Sequence, residues 1–226
     1  MMRKEFVNLD NQIKEFLTSF YQTKNFLAQP DYTGFYVAKD DFSQKIILGP
    51  TAEYSSRIIY EPVFKIANFE LQEVKEKILG SESRFKNYTV VASQGKKLAQ
   101  DYGVSGYEGW TMYDVKGEGD IQPMIEHHKE FMEKAGWQFL EQTQTIEGIH
   151  KYLNDPFIDF DADSLSQEEK TRLVRHNGAD WMVNGLVAAW LVKDKNFKQL
   201  VDKYRTIYFP DHIQQTMDTL LKSLDY

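Results

Sequence analysis

Residues 181–192 read Trp-Met-Val-Asn-Gly-Leu-Val-Ala-Ala-Trp-Leu-Val, and only Asn184 and Gly185 interrupt the apolar run. Crossing a bilayer takes about 20 apolar residues, so this run is too short to span one. Apolar nearly all round, it reads as a helix buried inside a globular domain. Gly185, Ala188, Ala189 and Val192 recur at helical spacing and offer a close approach to another element, while Trp181 and Trp190 fill wider gaps at either end.

Around this stretch the hydrophobic periodicity changes along the chain. Phe6, Leu9, Ile13, Phe16, Leu17 and Phe20 follow a helical period over residues 2–22. Residues 32–38, 45–48 and 54–67 are rich in Tyr, Phe, Ile and Val and read as a three-stranded antiparallel meander, with reversals at Asp40-Asp41 and Gly49-Pro50. Pro62 marks the third strand as bent or at an edge. Glu70–Leu79 reads as a helix with Leu71, Val74 and Ile78 inward and Gly80 as its stop. Short strands are expected at 88–92 and 109–115, and a short helix at 96–102 ending at Gly103. Asp120 is placed to cap a helix that stops at Gly136, and Thr145 to cap another through Leu153. Residues 137–143 fit strand or helix equally. From Ser166, where Ser-x-x-Glu169 has the capping-box pattern, the remainder reads as helical. The expected class is α+β: a long N-terminal helix, an antiparallel sheet of three to five strands and a helical C-terminal half. The division falls in a loop over 154–165, with an α+β part at 1–153 and a helical part at 154–226, packed as one globular unit.

Composition narrows function by exclusion. The 226 residues include no cysteine, which removes disulfides, Cys-ligated zinc, iron–sulfur centres and thiol nucleophiles. The formal charge of −7 argues against sequence-independent nucleic-acid binding, whose affinity comes from Lys and Arg on phosphates. It suits a basic protein partner. Residues 1–16 mix charged and apolar side chains and lack the continuous apolar stretch of a secretory signal, so the expected location is cytoplasmic, with no membrane segment.

The motifs that could carry chemistry fail on spacing. Glu126-His127-His128 is not the metal-binding H-E-x-x-H pattern. Neighbouring residues lie about 100° apart on a helix, so both rings cannot face one ion. His128 keeps company with Met124, Ile125, Phe131 and Met132, and reads as a core-edge histidine with a hydrogen-bond partner. Asp159, Asp161 and Asp163 open like a calcium loop, but Ser164 stands where glycine belongs and Lys170 where the bidentate glutamate belongs. No metal or other cofactor is expected. The stretch Gly103-Val104-Ser105-Gly106-Tyr107 lacks the second glycine of a nucleophile elbow, and Gly95-Lys96 lacks the upstream glycine of a phosphate loop.

The strongest local charge bias lies between Lys151 and Lys170. Asp155, Asp159, Asp161, Asp163, Glu168 and Glu169 occur there with no Lys or Arg, and Phe157, Ile158 and Phe160 are interleaved. Acids steer a basic surface by long-range attraction, and an exposed aromatic anchors it. The partner-binding residues expected on this basis are Asp155, Phe157, Asp159, Phe160, Asp161 and Asp163.

The order of features also resembles bacterial α+β proteins of unassigned function, among them immunity proteins of toxin systems. The features are the long first helix, the antiparallel sheet, the Gly109-Trp110 strand, the stretch Ala135-Gly136-Trp137-Gln138-Phe139-Leu140 and the helical tail. The resemblance is one of architecture and carries no catalytic residues with it. The leading expectation is a non-enzymatic inhibitor or immunity protein for a basic partner. Its alternatives are a hydrolase-like enzyme built around Glu126, His127 and His128, and a structural subunit of a homo-oligomer.

Overall fold

A computed structural model describes residues 4–30, 34–53, 58–80, 91–105, 113–158, 181–206 and 211–224. The chain is α+β, as the periodicity predicts. It divides into two compact units, one formed by Met1–Ile66 with Ala92–Glu141 and the other by Ala67–Val91 with Gln142–Tyr226.

The first unit opens with α1 (Lys4–Gln22). Its buried stripe is Leu9, Ile13, Leu17 and Tyr21, a strict four-residue repeat. Phe16, expected on that stripe, stands one position aside and is half exposed. A single sheet follows: β1 (Leu27–Ala28), β2 (Gly34–Ala38), β3 (Phe42–Glu53), β4 (Ile58–Asn68) and β5 (Val91–Gln94), in that spatial order, with β6 (Tyr113–Val115) also paired to β4. The first hairpin closes at Asp40-Asp41 as expected, with Ala38 opposite Ser43 and Lys39 N–H donating to Phe42 O. β3 runs straight through Gly49-Pro50 to Glu53, so no reversal occurs there. β4 is not an edge. Its antiparallel register with β6 ends at Tyr60, two residues short of Pro62, which has no N–H to give. Inward positions alternate along β3 at Phe42, Gln44, Ile46 and Leu48, and the Gln44 amide donates to Leu140 O.

After α3 (Gly95–Asp101), β6 and a short 3-10 turn (Glu118–Asp120), α4 (Ile121–Phe131) begins. Asp120 does not cap α4. Its carboxylate turns back to accept from the N–H groups of Lys116 and Gly117. Nor does the helix stop at Gly136: it widens through a π-helical turn (Met132–Gly136) and continues as α5 (Trp137–Gln142). The insertion keeps Met132, Ala135, Trp137, Phe139 and Leu140 all buried, which an uninterrupted period of 3.6 would not do on one face.

The second unit contains α2 (Phe69–Leu79), capped by the Asn68 side chain on Leu71 N–H and ended at Gly80 with φ 81°. Its buried side is Leu71, Gln72 and Lys75, with Val74 and Ile78 only half buried. α6 (Ile146–Ile158) starts at Thr145, whose hydroxyl accepts from Gly148 N–H as expected. It runs unbroken through residues 154–158, so the division placed at 153/154 falls inside a helix. The apolar stretch is α7, helical over 181–191, and residues 182–189 are buried without exception. Trp190 departs from the expectation: it is 40% exposed. α8 (Phe197–Thr206) and α9 (Asp211–Ser223) follow, α8 packing on α6 and α9 on α2. No described helix is long and apolar enough to cross a membrane.

Candidate functional site

Of the six residues expected to bind a partner, Asp155 is described as a half-buried residue in the last turns of α6. Phe157 lies on the same helix. Asp159, Phe160, Asp161 and Asp163 fall outside the described residues, and so do the rejected calcium loop and the Gly109-Trp110 part of the strand expected at 109–115.

The Glu126-His127-His128 trio is described in full. Glu126 is exposed and accepts from the Gln122 amide at 2.9 Å. His128 has no exposed surface, and its Nε2 lies 2.6 Å from the Tyr21 hydroxyl while its Nδ1 lies 3.4 Å from that of Tyr113. The Tyr113 hydroxyl is also 3.3 Å from Nδ1 of the half-buried His127. α1, β6 and α4 thus meet in an aromatic cluster. Tyr21 stacks on Phe35 at 4.1 Å and meets Trp137 edge-on at 5.7 Å, and the Lys24 ammonium sits 5.5 Å from the centre of the Trp137 ring. Burial pulls the His128 imidazole down to about 3, and the neighbouring His127 adds to the shift. His127 is also lowered, mainly by burial, with Glu130 opposing and Lys134 assisting. Burial raises the Tyr21 phenol.

Both ring nitrogens of His128 thus meet a tyrosine hydroxyl, Tyr21 closely and Tyr113 at the outer limit of a hydrogen bond. His128 has the hydrogen-bond partner expected of it but lies deeper than the core edge expected from its apolar neighbours, with no exposed surface. Tyr21 and Tyr113 were not singled out from the sequence. The available signal was the position of Tyr21, four residues after Leu17 on the buried stripe.

The second unit holds a polar network that local patterning does not reveal. The Asn154 amide donates to Gly185 O at 2.9 Å and to His150 Nδ1 at 2.7 Å, and its oxygen accepts from the Tyr204 hydroxyl at 2.9 Å. Because Gly185 O accepts only, the amide orientation is fixed. His150 Nδ1 then bears the lone pair, and its Nε2 lies 3.3 Å from Asp194 Oδ2, a buried oxygen with no hydrogen-bond partner among the described residues. The other Asp194 oxygen accepts from Asn196 N–H. Nearby the buried Lys75 ammonium donates to Asn184 Oδ1 at 2.9 Å. Asn184 and Gly185, the two interruptions in the apolar run, are thus the points where α7 receives polar partners from α2 and α6. Among the described residues no group of three or more His, Asp or Glu side chains is placed to hold a metal ion.

Comparison with known families, with curated proteins and with solved structures finds no match to the chain.

Proposed function

We propose that this chain is a non-enzymatic protein-binding protein of the bacterial cytoplasm, an inhibitor or immunity protein for a basic partner. One observation carries the reading: the interval between Lys151 and Lys170 holds six acids, no Lys or Arg, and the interleaved Phe157, Ile158 and Phe160. Acids so placed accelerate encounter with a basic surface, and an aromatic supplies the short-range anchor. The formal charge of −7 acts in the same direction at longer range. The roles of two histidines support it as well. His128 lies buried between tyrosine hydroxyls and His150 between Asn154 and Asp194, so both serve packing and positioning.

The test is kinetic. Once a basic partner is isolated, Asp159→Asn, Asp161→Asn and Asp163→Asn made together should slow association and leave the thermal midpoint unchanged. The parent's on-rate should fall as salt rises, because exposed charges are screened over about 8–10 Å at physiological ionic strength. An on-rate indifferent to both changes would remove this segment from the binding surface.

A further inference from the structure

The turn between α7 and α8 has the opposite charge character. Lys193, Lys195 and Lys198 are all exposed, and among the described residues none of their three ammonium groups has a hydrogen-bond or ion-pair partner. The acid between them in sequence, Asp194, is withdrawn from the surface. Its side chain is only 11% exposed, with Oδ1 accepting from Asn196 N–H and Oδ2 lying 3.3 Å from His150 Nε2. Trp190 precedes them in the chain, 40% exposed at the end of a helix whose preceding eight residues are buried. The turn is built rigidly: Lys193 N–H donates to Trp190 O and Asp194 N–H to Ala189 O, with Lys193 in the left-handed region at φ 54°. Three exposed ammonium groups thus sit on the turn and helix start that directly follow a half-exposed indole in the chain.

We propose that Trp190, Lys193, Lys195 and Lys198 form a docking surface for a short acidic segment of a partner protein, opposite in charge to the acid-rich interval. Charge complementarity defines the occupant, and its size follows from the rest of the chain. An extended polyanion such as RNA, or an anionic bilayer, would reach past three lysines onto a protein of formal charge −7 and be repelled there. A short acidic segment ends where the lysines end. Tryptophan is the side chain most suited to anchor an apolar residue within such a segment, since it offers a large rigid face with a polar edge.

The probe is a short fluorescein-labelled peptide of glutamates around one central leucine, followed by fluorescence anisotropy with the full chain. Saturable binding that weakens as salt rises is expected. Lys193→Glu, Lys195→Glu and Lys198→Glu together should weaken it by about tenfold or abolish it, and Trp190→Ala should weaken it several-fold. Lys→Gln at the same three positions serves as the milder set if the glutamate variant unfolds, with the thermal midpoint checked for each. The proposal is overturned if the peptide does not bind, or if it binds the folded triple variants as well as the parent. It is equally overturned if phosphatidylserine vesicles or single-stranded RNA engage these lysines more tightly than the peptide.

Discussion

Gly185 shows how far a single missing side chain reaches. A Cβ at this position would lie 2.5 Å from Asn154 Oδ1 and 2.8 Å from the Tyr204 hydroxyl. The absence of that carbon lets Asn154 reach Gly185 O and receive Tyr204 at the same time. Gly185→Ala should therefore cost about 1–3 kcal/mol through overpacking and the displaced network, and Gly185→Leu more. A thermal midpoint for Gly185→Ala equal to the parent's would show that α6 and α8 do not close on α7 in this way. At His128 the expected effect depends on pH. Its pKa is about 3 in the folded chain against an ordinary value of 6.5, so the unfolded state binds the proton first. Above pH 6.5 the group is neutral in both states and has no effect. Between 6.5 and 3 stability should fall by about 1.4 kcal/mol per pH unit from this group alone. Denaturant titrations from pH 7 to 4 on the parent and on His128→Gln measure it: the parent should lose stability more steeply. Equal slopes would mean that His128 titrates as an exposed histidine does.

At the level of elements, three helices end in the same way, and only one ending was legible in the sequence. After α1, Asn25 N–H donates to Gln22 O and Phe26 N–H to Tyr21 O; after α3, Gly103 N–H donates to Gln100 O and Val104 N–H to Ala99 O; after α7, Lys193 and Asp194 repeat the pattern. The residue in the left-handed region is Asn25, Gly103 and Lys193 in turn. Glycine there announces the stop, asparagine hints at it, and lysine conceals it. The next residue differs too. Phe26 folds back onto Tyr21, the usual apolar closure, whereas Asp194 turns to His150. Lys193→Gly should stabilise the protein by about 1 kcal/mol by removing the cost of a left-handed Cβ, provided unfolding is followed at fixed ionic strength. Destabilisation would show that Lys193 makes a contact worth more than that cost. The same contrast explains what else was readable. Long periodic helices such as α1 and α7, the Asp40-Asp41 reversal and the Thr145 cap rest on local patterns. The π-helical turn at Met132–Gly136 and the passage of β3 through Gly49-Pro50 are decided by packing across the first unit, which no window of sequence contains. The His150–Asn154–Tyr204 network joins residues up to 50 apart in the chain, so its members look isolated until the helices are placed.

For the whole molecule, the order of the chain and the grouping of its parts do not coincide. A reading that follows sequence order divides the chain near residue 153, because the expected strands all lie before it and only helices after it. The second unit instead takes in Ala67–Val91, so α2 belongs with the C-terminal helices. The reason lies in its buried side. Leu71, Gln72 and Lys75 are covered, α2 packs on α9, and the Lys75 ammonium reaches Asn184 on α7, 109 residues away. A buried ammonium is stable only with such partners, and Asn184 in turn sits in a helix that is otherwise apolar. Residues 142–226 expressed alone would therefore lack both the apolar cover of α2 and the cation opposite Asn184. That fragment should unfold without a cooperative transition, while the full chain unfolds cooperatively. Adding a peptide of residues 67–91 should restore helical circular dichroism and a measurable thermal midpoint. The same peptide with Lys75→Ala should do so less well, because it leaves Asn184 without the ammonium. If residues 142–226 alone melted cooperatively at the midpoint of the full chain, α2 would be an appendage of the second unit.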